Sequence, residues 1–126
     1  MIVGINGINI RSERKKILNS LIDLLIQKGF KIFISKELSK SFSNSKHKVY
    51  NDRTILNMDF IISFGGDGTL LNTVTNVGRK GIKILGVNAG KLGFLSFDVY
   101  DVFEKLIQDI QEDNYTLEKR TLVSIK

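Results

Sequence analysis

The chain has 126 residues, enough for one domain with a real core, and at 42% hydrophobic and 25% charged residues its composition is that of an ordinary globular protein. It contains no cysteine and a single histidine, His47, which excludes disulfides, thiolate metal sites and any multi-histidine metal site within it. A formal net charge of +6 suits anionic partners such as nucleotides; scattered lysines without an aromatic-plus-basic run argue against nucleic acid, and no apolar run approaches the roughly 20 residues that span a bilayer.

Ile2-Val3-Gly4-Ile5-Asn6 is short, apolar and β-branched, and reads as a buried first strand. Ser12 is placed as the N-cap of a helix reaching about Lys28, with Ile17, Leu18, Leu21, Leu24 and Leu25 at helical spacing. Gly29 stands where a left-handed C′ residue belongs, and Phe30 to Ile34 forms a second strand. Strand, helix and strand with short joints are the signature of a parallel crossover. Residues 35–53 hold five serines, four lysines and His47 without apolar periodicity, so this segment reads as a mobile surface loop. No role falls to His47.

From Asp59 to Phe64 the sheet resumes, and the unbroken Phe60-Ile61-Ile62 predicts burial on both faces. A helix from Thr69 to about Arg79 follows, with Leu70, Leu71, Val74 and Val77 expected to face inward; Gly78 and Gly81 punctuate its end. Residues 82–87 form the next strand, and 88–96 a glycine-bearing loop. Val99, Val102, Phe103, Leu106, Ile107 and Ile110 make one helical stripe, with Asp109 among the residues off it. From Tyr115 the chain turns β-like, and Leu122, Val123 and Ile125 are expected to be disordered or to pair with another copy at an open edge. The class is α/β with a mainly parallel sheet flanked by helices.

Chemistry concentrates at Gly65-Gly66-Asp67-Gly68-Thr69, between a strand and a helix. Glycines let backbone amides approach a ligand, and amides at a helix N-terminus make an anion site. A carboxylate there repels phosphate, which suggests that Asp67 accepts a proton from an attacking hydroxyl. The alternative is a tight turn whose Asp caps the helix. Thr69 either caps that helix or meets a phosphate oxygen. The stretch is neither a Walker A loop nor a dinucleotide G-x-G-x-x-G. The second constellation is Gly86-Val87-Asn88-Ala89-Gly90-Lys91-Leu92-Gly93-Phe94-Leu95. Phe94 either lies against a flat ring such as adenine or plugs the core. Asn88 either holds the turn or touches a ligand, and Lys91 either meets phosphate or water. Both loops leave strand carboxyl ends, the edge at which such sheets collect ligands.

These two motifs, some twenty residues apart, resemble those of the ATP-dependent NAD kinases. The first is shared with diacylglycerol-type lipid kinases and has a relative in phosphofructokinases; the second, at this spacing, is far more specific. The resemblance implies a phosphofructokinase-like α/β domain over residues 1–114 and, at 115–126, the first strand of a truncated β-rich C-terminal domain. It implies that Asp67 is the proton acceptor for the adenosine ribose 2′-hydroxyl of NAD. Gly68 would help bind NAD, Gly65 and Gly66 would lie against the ATP phosphates, and Phe94 would pack on the NAD adenine. Thr69 and Asn88 complete the expected ligand-binding set. The expected partners are ATP and NAD, with Mg²⁺ or another divalent metal carried on ATP and no metal site on the chain. At full length a homo-oligomer, dimer or tetramer, is expected in the cytoplasm, away from membrane and nucleic acid. The runner-up functions are a diacylglycerol-type lipid kinase and a non-catalytic nucleotide-binding fragment. The 126-residue chain alone is expected to be inactive, because family members close the site with a second domain.

Overall fold

Two crossovers that leave the sheet on opposite faces organise the molecule. The computed structural model describes residues 1–42, 47–78, 80–89, 99–114, 116–118 and 122–124. The first crossover runs from β1 (Ile2–Asn6) through α1 (Ser12–Gln27) to β2 (Lys31–Ile34). A short α2 (Lys36–Ser39), β3 (Lys48–Val49) and a 3₁₀ turn (Thr54–Asn57) lead to β4 (Phe60–Gly65). The second crossover is α3 (Asp67–Val77), which returns to β5 (Lys83–Asn88). Then come α4 (Val99–Gln111), β6 (Thr116–Glu118) and β7 (Leu122–Ser124).

The strands form one sheet in the order β3-β2-β1-β4-β5-β7-β6. β1 to β5 run parallel, β7 continues parallel beside β5, and β6 closes antiparallel on β7. The α/β architecture with a mainly parallel sheet is therefore the one expected. Side chains alternate between two cores. Val3, Ile5, Phe60, Ile62, Phe64 and Leu85 meet α1 and α4 on one face. Ile61 and Ile84 meet Val77 of α3 and Ile55 of the 3₁₀ turn on the other. All six residues of β4 are buried, as its unbroken apolar run requires. Gly29 ends α1 at φ +91°, the left-handed conformation anticipated for it.

Several local expectations are corrected. Arg11, extended and without a side-chain cap bond, precedes α1, and Ser12 is already helical. The 35–53 segment contains α2 and β3. Ser35 caps α2 by accepting from the Leu38 amide at 3.0 Å, Leu38 is fully buried, and β3 pairs with β2. Elements of four and two residues are too short to declare a period. On α3 the inward residues are Thr69, Thr73 and Val77, while Leu71 and Val74 are 69% and 39% exposed. Asp109, expected off the buried stripe of α4, is 5% exposed; Lys105 Nζ donates to it at 2.7 Å and Asn114 Nδ2 at 3.2 Å. That pairing satisfies a carboxylate that could not otherwise be buried. Leu122 and Val123 do not await another copy of the chain, because they lie in register with Ile84 and Leu85 of β5.

Candidate active site

In the strand order, the 3-2-1 half of the sheet meets the 4-5 half between β1 and β4. The chain leaving β1 passes to the α1 face, and the chain leaving β4 passes to the α3 face. Parting connections leave a crevice at the strands' carboxyl ends, where open α/β sheets bind ligands. The glycine turn leaves β4 on this carboxyl edge of the sheet.

Gly65 ends β4 at φ +155°, and a Cβ added to it would come within 2.5 Å of Thr69 Oγ1. Glycine is thus required at position 65 by the chain's own packing. Gly66 is the extended N-cap of α3 and makes no side-chain cap bond. Added Cβ atoms at Gly66 and Gly68 would meet nothing within 4 Å, so space lies open beside both. The first amide to close the helix is that of Leu70, on the Gly66 carbonyl at 3.1 Å. The amides before it, at 67–69, therefore have no partner within the helix and make an anion-attracting end.

Asp67 is the first residue of α3 and is exposed. Its charge favours the helix N-terminus electrostatically, which is a structural role in its own right. Its position in a cleft at the carboxyl ends of β4 and β5 is what a proton acceptor needs. A cleft of about 110 Å³ joins Gly65, Gly66 and Asp67 to Ser63 of β4 and to Gly86 and Asn88 of β5. Asn88 is the register partner of Gly65. The structure thus brings together four of the residues singled out from the sequence: Gly65, Gly66, Asp67 and Asn88. Gly68 lies one position further along the helix, and Thr69 is buried against the sheet. Lys91 and Phe94 lie outside the described residues.

Among the described residues, no group of three or more His, Cys, Asp or Glu could hold a metal ion. One carboxylate in the cleft does not make a magnesium cage, but it fits an ion that arrives on nucleotide phosphates and water. A wider groove of about 430 Å³ opens elsewhere, lined by Ser35, Glu37, Tyr50, Asp52 and Asn76 among others. Burial pushes the Tyr50 hydroxyl above its ordinary value, the Glu37 charge adds to this, and a hydrogen bond with Ser35 opposes it. That groove has no glycine turn, and its two carboxylates would repel phosphate, so the smaller cleft is the better candidate for nucleotide chemistry.

Beside the cleft lie polar residues that sequence reasoning passed over: Asn6, Ser63, Asn72 and Thr73. Asn6 Nδ2 donates to Asn72 Oδ1 at 3.0 Å and to Thr73 Oγ1 at 2.8 Å. The available signal was a polar residue late in each of two apolar strands, with threonines four apart on the helix.

A family model, the ATP-NAD kinase N-terminal domain, matches residues 3–115. The NAD kinase of Flavobacterium psychrophilum is 33% identical over 133 aligned positions, covering 100% of this chain and 45% of the relative. The NAD kinase of Bacteroides fragilis is 34% identical over 111 positions, 84% of this chain and 38% of the relative. That of Caldicellulosiruptor bescii is 34% identical over 127 positions, 100% and 43% respectively. The chain spans less than half the length of these relatives.

Proposed function

The chain belongs to the NAD kinase family, matching its N-terminal domain, and from that membership we propose that the protein transfers the γ-phosphoryl group of ATP to the 2′-hydroxyl of the adenosine ribose of NAD, giving NADP. The observation that carries the reading is the exposed Asp67 carboxylate on the first turn of α3, lining the cleft between the ends of β4 and β5. Amides of the glycine turn attract the phosphates, and Asp67 faces the hydroxyl that attacks them.

A carboxylate is far too weak a base to remove a ribose proton in advance. Asp67 orients the hydroxyl and accepts its proton late, as bond formation to phosphorus makes the oxygen acidic. A divalent ion carried on the ATP phosphates supplies charge neutralisation. Gly65 and Gly66 lie along those phosphates, Gly68 and Asn88 contact the dinucleotide, Thr69 supports the turn, and Phe94 stacks on the adenine. Residues 1–114 form the nucleotide-binding α/β unit, and 115–126 lead into a β-rich second domain that grips NAD. The working form is a cytoplasmic homo-oligomer. The lack of cysteine fits a reducing compartment.

The test is Asp67→Asn in the protein at its natural length. Turnover should fall by at least about 10² while nucleotide binding persists, the usual share for acid–base catalysis. Near-normal turnover in that variant overturns the assignment.

A further inference from the structure

Part of the surface under α3 is polar, beside the apolar cluster of Ile61, Ile84 and Val77, where the core of an α/β domain is ordinarily apolar. Asn6 and Ser63, register partners on β1 and β4, are 0% and 2% exposed and belong to the α3 side of the sheet. Both hydrogens of Asn6 Nδ2 go to α3, one to Asn72 Oδ1 at 3.0 Å and one to Thr73 Oγ1 at 2.8 Å. Thr73 Oγ1 donates in turn to the Thr69 carbonyl at 2.8 Å. The Thr69 side chain lies directly over Gly65, close enough that a Cβ there would collide with it. A continuous set of contacts therefore runs from the end of β1, through the second turn of the helix, to the turn that carries Asp67.

Apolar packing is non-directional and tolerates a small rotation of a helix about its axis. Hydrogen bonds from one buried amide to two consecutive helical residues do not, because they demand both distance and angle. The Asn6 contacts fall about one and a half turns beyond Asp67. They hold the same short helix whose first residue is the carboxylate. A misplacement of about 1 Å at a reacting group can cost about 10²-fold in rate.

We propose that Asn6 is a positioning residue for phosphoryl transfer: through Asn72 and Thr73 it sets the rotation of α3 and so aims the Asp67 carboxylate. Asn6 lies beneath the helix and acts through it. The inference rests on the reading of Asp67 given above.

The experiment compares Asn6→Ala, Thr73→Val, Thr73→Ser, the Asn6→Ala/Thr73→Val double variant and Asp67→Asn in the protein at its natural length, with ATP, Mg²⁺ and NAD. Asn6→Ala and Thr73→Val should each lower kcat about ten- to a hundredfold while the Kd for either nucleotide changes less than about threefold. Thr73→Ser keeps the hydroxyl and should stay within about threefold of the parent. The double variant should be no worse than the poorer single, since both remove one link. Should Asn6→Ala fail to fold, Thr73→Val, which exchanges a hydroxyl for a methyl, carries the test. If Asp67→Asn abolishes turnover while the Asn6 and Thr73 variants keep full kcat, the positioning role is overturned and the kinase reading stands. If those variants lose kcat, affinity and melting temperature together, Asn6 is structural only and the proposal is likewise overturned. Unimpaired turnover in Asp67→Asn overturns both.

Discussion

At Gly65 the chain needs a residue without a Cβ, because Thr69 Oγ1 fills the space that a side chain would take. At Gly66 and Gly68 it does not, since added atoms there would meet nothing. One glycine therefore serves the fold and two leave room beside Asp67. Phe94 invites the same distinction by experiment. If it stacks on adenine, Phe94→Ala weakens NAD binding and barely moves the melting temperature. As a core plug it would cost about 3–5 kcal/mol of stability instead. Titration and thermal melting together decide, and a large drop in melting temperature at unchanged affinity rejects stacking. Tyr50 gives a pH prediction. Its pKa is raised above the ordinary 10.0 mainly by burial, so the fold accepts the protonated form. The unfolded chain loses that proton first, so the stabilisation is complete below about pH 10 and is lost as pH rises beyond it. Denaturant titrations from about pH 8 to about pH 11 should show a shallower alkaline decline for Tyr50→Phe than for the parent. Equal slopes would assign the decline to other groups.

At the scale of elements, α3 and α4 make an instructive pair. In α4 the apolar stripe was legible, and Phe103, Leu106, Ile107 and Ile110 are buried, because the strand face beneath is apolar too. In α3, Leu70, Leu71, Val74 and Val77 fit a helical template equally well, yet Leu71 and Val74 face out. The sheet beneath offers buried Asn6 and Ser63, and the Thr73 hydroxyl accepts from the Asn6 amide where a leucine could not. Chemical denaturation should therefore find Leu71→Ser within about 0.5 kcal/mol of the parent, while Val77→Ala loses about 1–3 kcal/mol. The reverse ranking would place Leu71 in the core and contradict the orientation of the helix.

For the whole molecule, the prediction concerns completeness of the site. The chain spans less than half the length of its relatives, and the cleft is bounded by the turn after β4 and the end of β5. Phosphoryl transfer depends chiefly on positioning, which supplies about 7–11 kcal/mol of the barrier when both reactants are held. A site that grips one substrate loosely forfeits much of that. Purified residues 1–126 with ATP, Mg²⁺ and NAD should accordingly yield no NADP⁺ in a specific assay. Product at a rate comparable to a full-length relative would show that this domain needs no second half.

The strand–helix–strand order, the doubly buried β4, the left-handed Gly29 and the glycine turn at 65–68 were all legible in the sequence. Each rests on local physics: a hydrophobic period, a backbone conformation that glycine alone adopts cheaply, or a run too apolar to meet water. Asp67 stood out for the same reason, as a charge where only amides were expected. Tertiary structure decided what depends on distant neighbours. The inward face of α3 follows from Asn6, more than sixty positions earlier in the chain, and the place of Leu122 and Val123 follows from an open edge on β5. The burial of Asp109 needed Lys105 and Asn114 to close on it together. Hydrophobic periodicity records how much apolar surface an element has to hide. It does not record which polar groups wait on the surface opposite, and under α3 those groups set the outcome.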